Sequence, residues 1–533
     1  MLHTPRSLYR EKTWGSKSQS GNWDAIVIGS GVGGMTAAAA LSKAGRKVLV
    51  LEKHWIPGGL TQSFNRKNYV WNVGLHTVGE VSCDHLSGRI LNFLTGGKLE
   101  WKSLGEYSED FRFEDMSFQL ARERDTQYAD LIKAFPEDKE GLLLYAKAVE
   151  KAAAVINPYY FILQLLPKAM ANVLKKISFA ANQWTSLTTE AVINKYIGNE
   201  RLRDILKARW IYYGAEPEES SFPIHAIVTR HFYQGGFSPV EGGLAIAANL
   251  LRTIHASGGW TQTDSEVISV ILKNKHAIGV RLSNGKEIFA KKIISAIPIH
   301  NLKKLMPNPT PYWLKQAACL PGTPAHICLY LGFKGGLERF GIRSTSTWLF
   351  KDLKAVWNAY SEKEFPDPGI LWCSFHSVEK GNLEDNNTAE IVAFLPWKSF
   401  SKWDQSQWKK RSKEYEDFKL KLKNSMISIL DKYFPGIEEH IAYSELSTPL
   451  STNHFTGAVN GQIYGLAPTP ARYHCEHLRA RTATPGLILA GSDASMPGVM
   501  GACMGGFMGA LIADPFAVSW AMRSAFFKNS FIP

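Results

Sequence analysis

Three glycines near the N-terminus constrain the fold of this chain more than any other feature of its sequence. Gly29, Gly31 and Gly34 stand in the order G-S-G-V-G-G, after an apolar run from Trp23 to Ile28 and before an alanine-rich stretch from Met35 to Lys43. This order predicts a strand, a tight turn and a helix whose amino end faces the charge of a bound pyrophosphate. One glycine makes the turn, the next lets the backbone approach the phosphates, and the third lets the helix pack on the strand. The predicted cofactor contacts from this turn are Gly29, Gly31, Val32, Gly33 and Gly34.

A second strand follows the helix and ends at an acidic residue. The run from Lys47 to Leu51 is apolar and β-branched, and Glu52 stands at its end. A carboxylate about 20 residues beyond the glycine turn can accept hydrogen bonds from the ribose hydroxyls of adenosine. We therefore predict a βαβ unit that opens a doubly wound sheet, with Glu52 as a ribose ligand, Lys53 beside it, and a ribose without a phosphate.

The residues after Glu52 favour FAD over NAD. Gly58 and Gly59 follow it closely, and a second strand-like piece runs from Tyr69 to Gly74. Paired glycines allow the main chain to pass close to the longer part of a cofactor that continues towards the interior. Gly58, Gly59 and Leu60 are thus predicted FAD contacts, although a plain turn is the alternative.

The rest of the chain alternates between two kinds of pattern. The stretch from Cys83 to Pro223 is mostly helical in pattern and rich in aromatic residues, whereas Glu266 to Ala296 contains three short β runs separated by turn signals. A second long insertion follows Pro298, and a last strand, Gly486 to Ala490, leads into a glycine-rich helix. We predict an α/β (α+β) fold with a Rossmann-like FAD-binding domain from residues 1–100, 225–310 and 450–533. A mixed sheet-plus-helix substrate domain is predicted from 101–224 and 311–449.

Composition narrows the range of partners. The formal charge of +13 indicates an anionic partner or simply a solvated surface, and the scattered basic residues match no nucleic-acid-binding motif. Nucleic acid is therefore not predicted, and peripheral contact with an anionic membrane is. The first twenty residues carry no apolar core of a secretory signal, and no run reaches the roughly 18 apolar residues that a membrane span requires. The six cysteines are widely spaced, so we predict no metal site, no disulfide framework and a reducing, cytoplasmic location.

One helical stretch has the character of an interfacial anchor. Residues Val155 to Trp184 combine a dense apolar run with Lys168, Lys175 and Lys176. An amphipathic helix with basic residues beside its polar side is typical of membrane-surface anchors. A buried helix of the substrate domain is the alternative, and full burial of this stretch would contradict the anchor.

Taken together, these motifs resemble a known superfamily. The run DAIVIGSGVGGMTAAAALSKAGRKVLVLEKHWIPGG is similar to the FAD-binding segment of the phytoene desaturase superfamily, which includes carotenoid isomerases and retinol saturases. The segment NVGLHTVGE, Asn72 to Glu80, most resembles the retinol saturase branch. The resemblance implies that Gly491 and Asp493 hold the ribityl-pyrophosphate region, that the helix after them, with Val499, faces the flavin ring, and that Val267 touches the adenine.

Three side chains are candidates for proton transfer. In related flavoproteins the segment after the paired glycines runs beside the flavin, which makes His76 a candidate, with Thr77 and Glu80 near it in sequence. Reduction of a double bond needs a proton beside the hydride, and histidine titrates near neutrality. Tyr464 and His454 precede the last flavin-binding strand and are candidates of equal rank. A packing role is the alternative for each of the three.

Several functions share this framework. The resemblance implies an FAD-dependent enzyme that saturates, desaturates or isomerises a double bond of a hydrophobic polyene or isoprenoid-like lipid. A flavin amine oxidase is an alternative that requires an aromatic cage beside the flavin. A prenyl-lipid-binding escort protein is another, although such relatives have lost the fingerprint from Gly29 to Glu52. We find no second dinucleotide fingerprint, so the electron donor or acceptor is an unidentified partner, quinone, oxygen or nicotinamide.

Overall fold

We examined a computed structural model of the chain that describes residues 13–19, 21–351, 368–375, 378 and 387–526. Most of the N-terminal segment in which no secretory signal is predicted lies outside the described residues. The described strands are β1 (Trp14–Gly15), β2 (Trp23–Ile28), β3 (Val48–Leu51), β4 (Ser63–Arg66), β5 (Tyr69–Asn72), β6 (Trp101–Ser103), β7 (Tyr107–Arg112), β8 (Ser117–Ala121), β9 (Phe237–Pro239), β10 (Trp260–Gln262), β11 (Val267–Lys273), β12 (His276–Leu282), β13 (Glu287–Ser295), β14 (Ala325–Phe333), β15 (Ser346–Phe350), β16 (Ile370–Ser374), β17 (Asn387–Leu395), β18 (Ile441–Ser447) and β19 (Leu487–Leu489).

Helices pack on these strands, and seven of the described helices follow one another between β8 and β9. The described α-helices are α1 (Val32–Lys43), α2 (Leu86–Leu94), α3 (Arg124–Ala134), α4 (Lys139–Leu165), α5 (Lys168–Ile177), α6 (Phe179–Ser186), α7 (Thr189–Tyr196), α8 (Glu200–Lys207), α9 (Phe222–His231), α10 (Leu244–Ala256), α11 (Ile299–Leu305), α12 (Tyr312–Ala317), α13 (Lys413–Tyr433), α14 (Pro449–Thr456), α15 (Pro470–His474), α16 (Val499–Ala513), α17 (Pro515–Ala521) and α18 (Arg523–Phe526).

The first sheet is the doubly wound sheet that the sequence predicts. Its strand order is β1-β10-β3-β2-β13-β12-β11, and β19 pairs with β13. The central strands are parallel, and β11, β12 and β13 form an antiparallel meander at one side. All four side chains of β3 are buried, as expected for a parallel strand covered on both faces. The predicted α/β fold class is confirmed.

The second sheet has one face towards a core and the other towards a cavity. Its order is β18-β14-β17-β16-β15-β7-β8, and its pairs are antiparallel except for β15 with β7. Because side chains alternate along a strand, Ile327 and Leu329 of β14 pack into a buried cluster with α13, whereas Cys328 and Tyr330 line the cavity. The predicted domain boundaries stay a prediction. The strands of this sheet come from residues 107–121 and 325–447.

The insertion that the sequence predicts as mostly helical also contains strands. The stretch from Cys83 to Pro223 also contains β6, β7 and β8, which the helical reading missed. Strand β7 reads YSEDFR and buries Glu109 and Asp110, so its pattern is polar where a buried strand is normally apolar. No described helix combines the length and apolarity that a membrane span requires.

Candidate functional site

The glycine turn brings the first and last segments of the chain into contact. A Cβ atom on Gly33 would lie 2.4 Å from the Cα of Gly491, and one on Gly506 would lie 2.1 Å from the carbonyl oxygen of Gly33. Helix α1 therefore packs on α16 and its preceding loop at a distance that only glycine permits. Gly34 performs the predicted packing task, because its Cβ would lie 2.1 Å from the carbonyl oxygen of Gly29.

Gly31 faces open space instead of protein. No heavy atom lies within 4 Å of a Cβ built on this residue, and its backbone is ordinary for any amino acid, with φ of −63° and ψ of 170°. Gly31 lines a large cleft at the carboxyl ends of β2 and β3. Neither backbone conformation nor neighbouring protein atoms require glycine here, which fits a bound group that approaches the main chain.

Glu52 is held at the same edge of the sheet. Its Oε2 accepts hydrogen bonds from the backbone N–H of Ser30 at 2.9 Å and from the Ser30 hydroxyl at 2.7 Å, and its Oε1 accepts one from the N–H of His54. The carboxylate is thereby fixed beside the glycine turn at the wall of the cleft. A carboxylate in this position has further lone pairs that can accept the ribose hydroxyls.

Two buried charged side chains, Arg472 and Asp493, fasten the loop from Gly491 to Ser495 through hydrogen bonds to backbone groups. Arg472 donates to the carbonyl oxygens of Leu466, Ser492 and Ser495 at 2.5, 2.6 and 2.9 Å. Asp493 accepts the backbone N–H groups of Ile299 and Leu466 at 2.7 and 2.8 Å. Asp493 thus holds the loop in place and does not itself line the cleft, whereas Gly491 and Ser492 do.

The cleft suits FAD. It encloses about 1860 Å³ and is lined by the glycine turn, Glu52, the Gly58–Gly59 pair, Val267 and the loop at Gly491. Gly58 and Gly59 both have positive φ, and a Cβ on Gly59 would lie 3.0 Å from the Cα of Gly31. The backbone is thus exposed along the length of the cleft, as an extended dinucleotide requires.

A second cavity of about 670 Å³ joins this cleft. Its wall is mostly apolar and combines helices of the insertion with one face of the second sheet. Twelve residues line both spaces and define what we call the junction: Leu60, Val73, Gly74, Tyr330, Ser447, Ser451, Phe455, Thr456, Ile463, Tyr464, Gly498 and Val499. The amino end of α16 lies at the junction, where its partial positive charge would stabilise an electron-rich ring.

Comparison with known protein families identifies the family of this chain. The model of the family described as flavin containing amine oxidoreductase matches residues 32–395, which is more than half of the chain. The chain belongs to the flavin-containing amine oxidoreductase family. The FAD cofactor and the flavin-dependent oxidoreductase activity predicted from the sequence are confirmed by this membership and by the fold.

Relatives of this flavin-containing oxidoreductase match the predicted branch. This chain is 27% identical over 513 residues to an all-trans-retinol 13,14-reductase of Danio rerio, and the match covers 90% of this chain and 84% of that protein. It is 27% identical to the chloroplastic prolycopene isomerase of Daucus carota, covering 88% and 75% of the two chains. The fold is similar to that of cyclohexylamine oxidase from Brevibacterium oxydans, with a TM-score of 0.60 at 16% identity over 95% and 100% of the chains.

The cofactor residues predicted for this flavin-containing oxidoreductase meet in one place, with two exceptions. Gly34 and Asp493 support the cleft from behind, as described above. The others line it: Gly29, Gly31, Val32, Gly33, Glu52, Lys53, Gly58, Gly59, Leu60, Val267, Gly491 and Val499.

The three candidates for proton transfer are separated. His76 lines the apolar cavity, and Tyr464 lies at the junction. His454 does not line the cavity: it is exposed on α14 and stacks on Trp408, with ring centroids 4.9 Å apart. His454 lines the FAD cleft, and its ring contacts that of Phe455 at the junction with centroids 4.9 Å apart, so its candidacy stays a prediction.

The surroundings of His76 and Tyr464 differ. The Nδ1 atom of His76 lies 4.0 Å from Oε2 of Glu390, whose side chain is only 1% exposed, and its ring meets the edge of Trp372 at 4.8 Å. Burial raises the pKa of Tyr464 above its ordinary value, so its hydroxyl stays protonated. A third group, His326, faces the cavity, and burial lowers its pKa to about 4, so it is neutral at physiological pH.

Sequence reasoning missed the residues that support the site from a distance. Ser30 holds Glu52, Arg472 fastens the terminal loop, and Glu390 accepts the N–H of Asn72 at 3.0 Å beside His76. Asn72 in turn accepts the N–H of Gly243 at 3.0 Å. Of these supporting residues, only Ser30 could have been found from the local sequence, because it lies inside the glycine turn directly before Gly31.

Proposed function

We propose that the apolar cavity binds a long unsaturated lipid of retinoid or carotenoid type and that the enzyme saturates, desaturates or isomerises one of its carbon–carbon double bonds. The observation that carries this proposal is the junction, where the apolar cavity and the FAD cleft share twelve lining residues. The reductase and isomerase relatives, whose names specify polyene substrates, support it.

The chain's own residues supply orientation and exclude water. Apolar side chains from α9, β14 and α16 would pack along the substrate, so that one double bond lies at the junction beside Gly74 and Val499. Bound FAD supplies or accepts a hydride. Saturation then requires a proton for the neighbouring carbon, and desaturation requires its removal.

His76 is the group that we assign to this proton. It follows Gly74 of the junction by two residues, and its Nδ1 lies 4.0 Å from Oε2 of Glu390. His326 is unsuited to the task because burial lowers its pKa to about 4. The raised pKa of Tyr464 suits a hydrogen-bond donor that orients the substrate.

Replacement of His76 by Gln should lower turnover about 100-fold or more while the purified protein keeps its FAD, because a positioned proton donor contributes about 10²- to 10⁴-fold to a rate. Rapid-mixing kinetics with the FAD-loaded variant would measure the loss. His255→Gln is the matched control, since His255 lies exposed on α10, away from both spaces. A turnover within threefold of wild type for His76→Gln would contradict the assignment.

The proposed function is tested by product mass. The FAD-loaded protein is supplied, in reduced and in oxidised form without oxygen, with retinoids, carotenoids, unsaturated fatty acids and primary amines. We expect a polyene product that is heavier or lighter by two hydrogens, or of unchanged mass and altered retention. Conversion of amines alone would overturn the proposal.

Amine oxidation is the second candidate because aromatic side chains meet at the junction. Tyr330, Phe455 and Tyr464 all line it, which is the feature that the amine oxidase reading requires. The same experiment separates the two functions, since an amine substrate yields an aldehyde and ammonia and leaves polyenes unchanged.

We also infer peripheral contact with an anionic membrane through the stretch from 155 to 184. Helix α5 and its neighbours expose apolar side chains, of which Ile177 is 72% and Phe179 78% exposed. Lys168 and Lys176 are exposed on the same helix. Ile162, also exposed, lines the substrate cavity, so a lipid that leaves the membrane at this surface would meet the cavity wall.

Acidic substitutions on this surface should weaken vesicle binding. The double variant Val173→Asp, Ile177→Asp is expected to lower the fraction that cosediments with vesicles containing phosphatidylserine at least fivefold, because two charges replace apolar side chains at the interface. Leu420→Asp is the matched control, since Leu420 is an exposed leucine on α13. Equal cosedimentation of the two variants would contradict the membrane contact.

A further inference from the structure

Three aromatic side chains that can be oxidised lead from the junction to the protein surface. Tyr330 lines the junction, and its ring meets that of Trp71 with centroids 6.1 Å apart. The ring of Trp71 in turn meets that of Tyr443 at 5.4 Å. We call these three residues the aromatic relay. Trp71 is 1% exposed, whereas Tyr443 is partly exposed, so the relay joins the flavin site to solvent.

The register of the second sheet brings the members of the relay together. Tyr330 of β14 lies opposite Glu445 of β18, and because side chains alternate along a strand, Tyr443 shares that face of the sheet. Gly332 lies opposite Tyr443, and a Cβ on it would lie 2.7 Å from an aromatic ring of β5. The missing side chain lets β5 pack against the sheet, which places Trp71 in contact with both tyrosines.

The two buried members of the relay donate their protons to weak bases. The hydroxyl of Tyr330 donates to the carbonyl oxygen of Val73 at 3.3 Å, and the indole N–H of Trp71 donates to that of Leu331 at 2.9 Å. A backbone carbonyl does not take up a proton at neutral pH, so loss of an electron would leave either side chain as a radical cation. A positive charge in a buried position is costly. We therefore expect an oxidising equivalent to leave both residues.

Tyr443 has a partner that can take its proton. Its hydroxyl donates to Oε2 of Glu445 at 2.6 Å, which is within the range for proton transfer. The same carboxylate oxygen lies 3.3 Å from Nε of Arg66. Lys67 holds its Nζ atom 5.7 Å from the centre of the Tyr443 ring, where its charge disfavours a positive charge on that ring. Oxidised Tyr443 is thus expected to release its proton to Glu445 and to remain as a neutral radical.

We propose that the aromatic relay carries single oxidising equivalents from the flavin site to the protein surface, where Tyr443 ends as a neutral radical that a soluble thiol reduces. The oxidant is a one-electron oxidant formed at the flavin, of which oxidised FAD excited by light is the simplest. One electron moves from Tyr443 through Trp71 and Tyr330 to the flavin, and the phenolic proton moves from Tyr443 to Glu445.

The thiol completes the cycle. It gives a hydrogen atom to the oxygen of Tyr443, Glu445 passes its proton to solvent, and two thiyl radicals combine as a disulfide. The relay thereby offers the oxidant an electron from the surface in place of one from a molecule in the cavity. The proposal depends on the FAD site and not on the identity of the substrate, so it goes beyond the function proposed above.

The test is a blue laser flash on the oxidised, FAD-loaded full-length protein, without substrate or oxygen, followed by time-resolved electron paramagnetic resonance. We expect the spectrum of a tyrosyl radical, which narrows when the protein is made with ring-deuterated tyrosine. Added dithiothreitol should shorten the lifetime of this radical in proportion to its concentration. These measurements need no variant and so do not depend on a substitution that fails to fold. Absence of a tyrosyl radical, or a lifetime that dithiothreitol leaves unchanged, would overturn the proposal.

Two variants locate the radical and its route. Tyr443→Phe should remove the long-lived signal, and Trp71→Phe should lower its yield about tenfold or more, because phenylalanine has neither an indole nor a phenol group to oxidise. Tyr433→Phe is the matched control: Tyr433 is also partly exposed and donates at 2.6 Å, but to the carbonyl oxygen of Phe350. FAD content and melting temperature show that each variant is folded. An unchanged signal in Tyr443→Phe or Trp71→Phe, or its loss in Tyr433→Phe, would contradict the assignment.

The proton acceptor is tested separately. Glu445→Gln keeps an oxygen that accepts the hydrogen bond of Tyr443 but is no longer a base, so the electron should return from the flavin before the proton leaves, and the lifetime of the radical should fall about tenfold. Equal lifetimes in this variant and the wild-type protein would overturn the role of Glu445. Because no substrate is present in these experiments, failure of every polyene to react would remove the proposed function and leave this inference standing.

Discussion

Substitution of Gly31 by Glu should yield a folded protein that is purified without flavin. A side chain at this position meets no heavy atom within 4 Å and requires no unusual backbone conformation, so the protein accommodates it. The new carboxylate would lie against the cofactor diphosphate. Two unit charges about 4 Å apart repel each other by about 4 kcal/mol near a protein surface, which corresponds to nearly a thousandfold in Kd.

Flavin absorbance of the purified variant and titration of the apoprotein with FAD measure this loss. Gly31→Ala, which adds a methyl group without charge, should weaken binding much less. Lys43→Glu, at the exposed end of the same helix, controls for the added negative charge. Full FAD content in Gly31→Glu would show that the diphosphate does not approach this turn.

Substitution of Arg472 by Met should destabilise the protein and release FAD together. Arg472 is 2% exposed. Its guanidinium donates to the carbonyl groups of Ser492 and Ser495, in the loop that carries Gly491, and to that of Leu466. Because each unsatisfied buried acceptor costs about 1 to 3 kcal/mol, we expect a loss of about 3 kcal/mol or more in the free energy of unfolding. Melting temperature, recorded with and without added FAD, measures both effects.

Arg472→Lys and Arg481→Met complete this experiment. Lysine keeps the charge but lacks the planar fork that reaches several carbonyls, so an intermediate effect is expected. Arg481 is exposed and donates to one carbonyl oxygen, that of Leu165, so its loss should change the melting temperature little. If Arg472→Met retained its FAD and its melting temperature, the loop would be fixed by other contacts.

The sequence was informative where the fold depends on local steric requirements. The strand predicted from Trp23 to Ile28 has those bounds in the structure, and the next strand begins one residue later than predicted, at Val48. Helix α1 begins at Val32 and not at Met35, because Gly33 and Gly34 lie inside it and glycine is a poor indicator of a helix. Gly33 is in the helix because α16 and its preceding loop pack closely on it, and Gly34 is there because the helix packs closely on the turn at Gly29.

The substrate site was less accessible to sequence reasoning because it depends on long-range contacts. Glu390 reaches His76 through the packing of β17 on the segment after β5, more than 300 positions away in sequence. The local order of residues does not indicate which face of a helix or strand meets the cavity, so it could not rank His76, Tyr464 and His454. Glu80 likewise meets His231 at the end of α9, a contact that no local pattern predicts.

The central claim is that a polyene in the apolar cavity exchanges hydrogen with the flavin at the junction. It is tested most directly by mixing the FAD-loaded protein, reduced and free of oxygen, with all-trans-retinol and following the flavin absorbance. We predict that the absorbance of oxidised flavin returns at a rate that rises with retinol concentration and that the product is heavier by two hydrogens. Polyenes that stay chemically unaltered and leave the flavin spectrum unchanged in both the reduced and the oxidised protein, together with bleaching of the oxidised flavin by a primary amine, would contradict the account.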